Sequence, residues 1–528
     1  MKQLKYVGRL LAMGAMMVSC SLDFNPTGAY SDATFWLSEK NAESGLVGCY
    51  LPLSHGSMYG GLAMAMEECA SPNAYNYDNR ANWNDIAQGT QTAEGGIFSG
   101  RWQDAYIGIG RCNTLLANID QNTELNQDRI DQMKAQARFL RALYYSILVN
   151  YYDDVPFITD APDIAQENLP RTDRKEIVTF MVEELDSVSK ILPSSYSAQE
   201  DQGRATSGAA LALKAKILFF EASPLFNTEN SQEAWRKAAD AAEAVMQLGY
   251  GLHDDYEELF SEDGEHSSEC IFDVEFVDEP KGLGHSTDIV MRQWNNAAPL
   301  KNFVDAYWME DGKPREESQY ADAENYEHMD PRFYKTIVYP GATWMGEVVK
   351  TDNTNVLFTN RQTGFIYKKY TVYTEKTPTE DERNLGEDCS PINIMLLRYA
   401  DILLMYAEAK NELGEMDETV WNTTIRAIRQ RAGFTAASAL DFPGGSKEDI
   451  MTHIRYERRI EFAGEGTYYN DLRRWKRAEE EMANLNIYRY DGVQIGTRNF
   501  NKDRDYWWPV PASQIEADPA LRPNNPGW

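Results

Sequence analysis

The sequence predicts a mainly α-helical protein, a tetratricopeptide-like core of helical hairpins carrying long loop-rich insertions and a few short strands. Three observations predict it. In segment after segment, apolar residues recur at steps of three and four, the period of one helix face. Small residues, among them Ala238, Ala242, Ala407 and Ala409, stand where paired helices must approach closely. Two stretches without that period, roughly 54–100 and 250–395, are rich in Gly, Asn, Asp and aromatics, and loops of such length are commonly functional. A strict repeat with the full tetratricopeptide signature is absent, so the likeness is one of helix pairs rather than of repeat length.

The first segment, 1–19, reads as a signal peptide. Lys2, Lys5 and Arg9 precede the apolar run Leu10 to Val18, which is too short for a bilayer span of about 20 residues. Small Ser19 stands directly before Cys20, as in a bacterial lipoprotein signal whose cysteine is acylated. The alternative is ordinary cleavage beside an incidental cysteine. An acyl chain anchors by burial, at about 0.8 kcal/mol per CH₂.

The helices follow in order. Ile130, Met133, Ala137, Leu140, Tyr144, Ile147, Leu148 and Tyr151 form one face, ended by Asp153-Asp154-Val155-Pro156, where proline blocks continuation. Ile177, Met181, Leu185, Val188 and Leu192 repeat the pattern up to Pro193. Thr206 caps the next helix, whose stripe is Ala210, Leu213, Ile217 and Phe220. Trp235, Ala238, Ala242, Val245 and Met246 close at Gly249. Further stripes end at Gly414 and Gly433, and 446–463 with 466–477 form another pair. Within the second insertion, 271–276 and 365–370 have strand composition. The tail Trp507-Trp508-Pro509-Val510-Pro511 is proline-fixed and apolar, so it packs extended on the body.

Composition narrows the partners. The chain of 528 residues carries a formal charge of −31, which repels phosphate backbones and excludes nucleic acid as a partner. It also disfavours attachment to anionic lipid through a basic patch. The 30 Tyr and 12 Trp favour polar ligands with apolar faces, and only 6 His speak against a His-rich metal site. Beyond Cys20 the cysteines are Cys49, Cys69, Cys112, Cys270 and Cys389, an odd set at irregular spacing, which reads as small buried residues rather than a disulfide framework.

Catalytic and metal motifs (GxSxG, HExxH, Walker loop, EF-hand) are absent, so no cofactor is expected. His453, Glu457 and Glu461 share one helix face, but the surrounding arginines make ion pairing the better reading, with Arg473 or Arg474 as nearest candidates. Asp153 and Asp154 are adjacent and point apart, unlike a glycosidase pair. Glu262, Asp263 and Glu265 around Gly264 read as a solvated acidic loop rather than a calcium site.

An ordered set of motifs runs the length of the chain. It includes Cys20, Ala135-Gln136-Ala137-Arg138-Phe139-Leu140-Arg141-Ala142, Asp154-Val155-Pro156 and Gly203-Arg204-Ala205-Thr206. Asp330-Pro331-Arg332-Phe333, Arg398-Tyr399-Ala400-Asp401, Glu457-Arg458-Arg459-Ile460-Glu461-Phe462 and Asp471-Leu472-Arg473-Arg474-Trp475 follow, before Pro509-Val510-Pro511 and Asn524-Asn525-Pro526. Together they resemble the SusD/RagB family of Bacteroidetes outer-membrane lipoproteins. The resemblance implies two halves, 20–225 and 226–528, packed as one unit. It implies a non-catalytic glycan binder at the cell surface, acylated at Cys20, that delivers oligo- or polysaccharide to a SusC-like TonB-dependent transporter. The alternatives are a secreted glycoside hydrolase and a non-binding helical-repeat scaffold. The loops between the motifs, where family ligands bind, carry no motif that transfers.

The site is therefore sought from chemistry. A pyranose stacks its C–H face on an aromatic ring, and its hydroxyl rim meets amides and carboxylates. The stretch Asn73–Asp85 supplies both, with Tyr75, Tyr77 and Trp83 as platforms. A second island is Arg292-Gln293-Trp294-Asn295-Asn296, and Trp344 after the Pro340-Gly341 turn is a third candidate. The competing reading is that these rings pin long loops to the helices.

Overall fold

The structure is a computed structural model that describes residues 32–61, 63–280, 282–289, 294–351, 363–378 and 385–528. Cys20, Arg292 and Gln293 lie outside the described residues. The helical frame consists of α1 (Glu39–Tyr50), α2 (Gly96–Asn118), α3 (Gln127–Tyr152), α4 (Arg174–Val188), α5 (Ser207–Ala222), α6 (Gln232–Met246), α7 (Tyr399–Glu412), α8 (Ile425–Ala432), α9 (Lys447–Glu461) and α10 (Tyr468–Arg474), with shorter helices between them. Side-chain caps satisfy first-turn N–H groups. Asn126 accepts from the Arg129 amide at α3, Thr206 from Ala209 at α5, and Ser446 with Asp449 forms a reciprocal box at α9. Each such cap is worth about 1 kcal/mol. The stripes seen in the sequence become the buried faces of these helices.

Each helix packs on its neighbour in the chain, from α1 through α6. The next partner of α6 is α7, so the 250–395 insertion leaves the stack and the chain rejoins it at the following position; α7 then packs on α9. The stack is tight. A Cβ at Gly108 of α2 would lie 2.3 Å from the Tyr144 ring of α3. The Tyr144 hydroxyl donates to the Cys49 carbonyl in α1 at 2.7 Å. No helix among the described residues is long and apolar enough to cross a membrane.

The strands are β1 (Ala74–Tyr75), β2 (Cys270–Val274), β3 (Ala298–Pro299), β4 (Ile337–Val338), β5 (Thr343–Trp344), β6 (Glu347–Val348), β7 (Ile366–Tyr367), β8 (Ile394–Arg398), β9 (Leu485–Tyr488) and β10 (Gln494–Arg498). Among the described residues they form separate antiparallel pairs: β1 with β3, β2 with β8, β4 with β7, β5 with β6 and β9 with β10. The strands expected at 271–276 and 365–370 are β2 and β7. The tail packs as expected: the Trp508 amide donates to the Tyr151 carbonyl at 2.7 Å, and its indole N–H to the Tyr469 hydroxyl at 3.1 Å. The cysteines at 49, 69, 112 and 389 are buried and free, and Cys270 is half-buried.

The face of α9 carries a buried ionic knot whose partners differ from the expected ones. Glu457 pairs with Arg332 at 2.9 Å and Arg429 at 2.7 Å. Glu461 pairs with Arg398 at 2.8 Å and with Arg431. Arg473 and Arg474 go elsewhere: Arg473 donates to the Tyr506 carbonyl at 3.0 Å, and Arg474 pairs with Asp471 at 2.7 Å and Glu408 at 2.5 Å. Proximity in sequence favoured the arginines of α10. The stack instead presents arginines of the insertion, β8 and α8 to α9. His453 lies edge-on to Trp308 and Trp421, and burial with the Arg429 charge lowers its pKa to about 4, so it is a neutral packing residue.

Candidate ligand-binding site

The two insertions meet at the β1·β3 pair, where Tyr75 stands opposite Ala298 and Ala74 opposite Pro299. The island at 73–85 is thereby joined to the segment that contains Trp294. The Leu300 amide donates to the Asn73 carbonyl at 2.8 Å, and Asn296 Nδ2 to Asp78 Oδ2 at 3.0 Å. Asn295 Nδ2 reaches the Phe365 carbonyl at 2.8 Å, which ties the second island to β7. Beneath the pair, the buried Glu68 accepts from Asn73 Nδ2 at 2.8 Å and from the Gly466 amide at 2.9 Å. Burial pushes its carboxyl up to about 7, against the lowering effect of those hydrogen bonds.

The hairpin β9–β10 forms a further wall. Arg498, itself fully buried, donates to the Ala74 carbonyl at 2.7 Å and to the Ser71 carbonyl at 3.2 Å, and its guanidinium lies 5.8 Å from the Tyr75 ring. Asn302 bonds the same hairpin twice, donating to the Asn486 carbonyl at 2.9 Å and accepting from the Tyr488 amide at 2.9 Å. Sequence reasoning missed this wall. The signal was present in Tyr488-Arg489-Tyr490-Asp491-Gly492, an Asp-Gly turn after an aromatic run.

The loop after Tyr77 is held in left-handed backbone at Asn79 (φ 51°), Ala81 (φ 56°) and Asn82 (φ 66°). Asparagine tolerates that region, whereas alanine pays roughly 1–2 kcal/mol. The turn lies against Gly96, where a Cβ would meet the Ala81 carbonyl oxygen at 2.9 Å. The amides of the island mostly shape the loop itself. Asn79 Nδ2 donates to Asp85 at 2.9 Å, Asn79 Oδ1 accepts from the Asn84 amide at 3.1 Å, and Asn84 Nδ2 donates to the Asn76 carbonyl. Such strain is held by surrounding structure and is found at ligand clamps.

The five candidate aromatics separate by burial. Tyr77 is 38% exposed, while Tyr75 on the same segment and Trp294 on the joined one are half-buried. Trp83 is 1% exposed and Trp344 3%, so both are corrected from platforms to core residues. Trp83 opens a short helix, Trp83–Gln88, and packs edge-on against Trp508 at 6.1 Å with the Arg101 guanidinium 5.8 Å from its ring. Its covering residue comes from the far end of the chain, which no local pattern reveals.

Arrangements resembling catalytic ones fail on geometry. Ser57 and His55 both bond Asp104, His55 Nδ1 at 2.8 Å, so the carboxylate sits between them and the imidazole does not receive the hydroxyl proton. Asp153 is spent near Arg174, at 3.6 Å, and Asp154 accepts from the Arg174 amide at 2.9 Å. A cavity of about 190 Å³ lies within the helical stack, lined by residues such as Leu143, Val178, Leu213, Arg398 and Asp471. Its charges pair across its own walls, as in Arg101–Glu67 at 3.1 Å and Arg458–Asp401 at 3.0 Å, and no residue of 73–84 or 294–302 lines it.

Comparison with known proteins gives the family. The SusD family model matches residues 257–528, and a model described as starch-binding and associating with the outer membrane matches 31–219. SusD-like protein P25 of Formosa agariphila is 25% identical over 519 residues, covering 95% of this chain and 94% of its own. A SusD-like carbohydrate-binding protein from Bacteroides fragilis superposes with a TM-score of 0.77 at 28% identity, over 92% of this chain and all of that one. Surface glycan-binding protein A from Bacteroides thetaiotaomicron shares the fold, with a TM-score of 0.68 at 20% identity over 93% of this chain and 100% of its own. Matched by the SusD model over more than half its length and by its relatives over nearly all of it, the chain belongs to the SusD family, whose members are non-catalytic carbohydrate-binding proteins.

Proposed function

We propose that the protein captures an oligo- or polysaccharide at the cell surface through the face formed at β1·β3, with Tyr77, Tyr75 and Trp294 as stacking platforms. One observation carries this reading: strand pairing joins the two aromatic islands that were separate in sequence, and it leaves Tyr77 accessible on a strained, braced loop. A rigid scaffold presenting rings on loops suits a ligand that offers an apolar face and a polar rim. The Bacteroides fragilis relative, a carbohydrate-binding protein, supports the same ligand class.

In this reading Cys20 carries the lipid that tethers the protein to the outer membrane, and a SusC-like TonB-dependent transporter receives the glycan. A tethered binder cannot itself move a large polar ligand through a bilayer, so a channel partner is required. The test is a glycan array with the chain lacking its signal segment, followed by calorimetry on the hit. Tyr77→Ala and Trp294→Ala should each weaken binding about tenfold, since stacking contributes ~1 kcal/mol beyond area burial, with melting temperature unchanged for Tyr77→Ala. Parent affinity in both variants sinks this placement. Membrane fractionation of Cys20→Ala tests the anchor, and purification from native membranes tests the transporter.

A further inference from the structure

The acidic loop before β2 does more than meet solvent. His266, Asp273 and Glu275 each bring one possible ligand atom to within 4.8 Å of the other two. His266 Nε2 is 3.5 Å from Glu275 Oε1. Two bonds of the length zinc forms with nitrogen and oxygen, opened to a tetrahedral angle, separate their donors by about 3.4 Å. We propose that these side chains form a binding site for a divalent transition-metal ion, a site separate from the sugar face.

The backbone builds the trio. Asp273 lies in β2, and Glu275 follows at the alternate position, so both point to one side of the extended segment. The preceding loop returns over them through His266, which takes left-handed backbone at φ 53°. From the other side, Gly203 brings bare backbone against Glu275: a Cβ there would lie 2.3 Å from Glu275 Oε1. The glutamate is held where a larger neighbour would displace it.

The charge pattern asks for a cation. Asp273 is 4% exposed, and its bond from Asn393 Nδ2 is long, at 3.4 Å. Several buried carboxylates elsewhere meet arginines: Glu269 pairs with Arg398 at 2.9 Å, Glu408 with Arg474 at 2.5 Å, and Asp471 with Arg458 at 2.9 Å. Among the described residues, no Lys or Arg pairs with Asp273 or Glu275. A buried carboxylate such as Asp273 without a Lys or Arg partner is costly, and a bound cation lowers that cost. The donor set decides the class of ion. One imidazole with two carboxylates suits zinc and its neighbours, whereas calcium takes six to eight oxygens. Glu265, whose Oε1 accepts from the Asn393 amide at 2.8 Å, stands at the edge of the cluster.

The experiment uses the purified chain stripped with chelator, then titrated by calorimetry with zinc chloride alone and, separately, calcium chloride alone. The expected result is one zinc per chain, a raised melting temperature with zinc, and no calcium binding at the same concentrations. His266→Ala, on the exposed side of the cluster, should lower zinc affinity at least tenfold with the fold intact by circular dichroism. Asp273→Asn should do the same and abolish the thermal shift. Substoichiometric zinc, zinc binding unchanged in His266→Ala, or calcium bound in preference to zinc would each overturn the proposal.

Discussion

The ionic knot on α9 and the loop face at β1·β3 are built from opposite materials. In the knot, Arg332, Arg398, Arg429 and Arg431 converge on Glu269, Glu457, Glu461 and Glu465, and all of these side chains are nearly or wholly buried. At the loop face, neutral amides shape the backbone, left-handed residues turn it, and a ring is left accessible. Charge is used inside, where partners are fixed and removal is severe. Rings and amides are used outside, at the accessible surface. The family motifs Asp330–Phe333, Arg398–Asp401 and Glu457–Phe462 fall in or beside the knot, while the loop face carries none. The recognisable part of the sequence is therefore the part that holds the fold, and the loop face is the part without motifs.

The largest effect is expected of Glu461→Ala. It takes one carboxylate from between Arg332, Arg398 and Arg431, leaving their buried charges undercompensated by Glu269, Glu457 and Glu465, and should cost about 3–5 kcal/mol, measured by chemical denaturation, with glycan affinity unchanged in the folded fraction. Burial would raise the Glu461 pKa, but the charges of Arg431, Arg398 and Arg332 outweigh it and hold it at about 2. Its folded pKa is thus depressed, so its contribution is present above the ordinary glutamate range near pH 4.5 and lost as pH falls through about 2. If Glu461→Ala instead kept its melting temperature and lost glycan, the division between the two regions would fail.

Trp83→Ala should also act on stability. Removing a tryptophan packed on Trp508 and Arg101 leaves a cavity costing about 3 kcal/mol. A variant of parental stability with lost binding would return Trp83 to the site.

Glu68 joins the two regions, since it is buried like the knot yet orients Asn73 under β1. Its folded pKa is raised from 4.5 to about 7. The stability it contributes is full below about pH 4.5 and is lost as pH rises through about 7, a swing of up to about 3 kcal/mol. Glu68→Gln, which does not titrate, should flatten stability across that window in denaturation curves taken from pH 4 to 8. An unchanged slope would remove Glu68 as its source.

The smallest effect is Ala81→Gly. Glycine relieves a left-handed penalty of roughly 1–2 kcal/mol, offset by about 1 kcal/mol of backbone entropy. The melting temperature should rise slightly or stay level. A fall would mean that the alanine methyl itself supports the loop.

The helix faces were legible because each is a property of a dozen or so adjacent residues: Thr206 as a cap, Gly433 as a stop, and the stripe from Ile130 to Tyr151 all appear where the periodicity places them. Two strands and the docked tail were legible for the same local reason. The ion partners of Glu457 and Glu461 were not, because they arrive from β8, α8 and the insertion.

By itself, then, the sequence determined the helices, their order and the family, since backbone hydrogen bonding and apolar period act over short range. The tertiary structure alone decided which rings stay accessible and which are core. Tyr77 and Trp83 belong to one island and share the same composition around them. Trp508 covers Trp83, while Tyr77 stays 38% exposed, because burial depends on what the chain returns to that place.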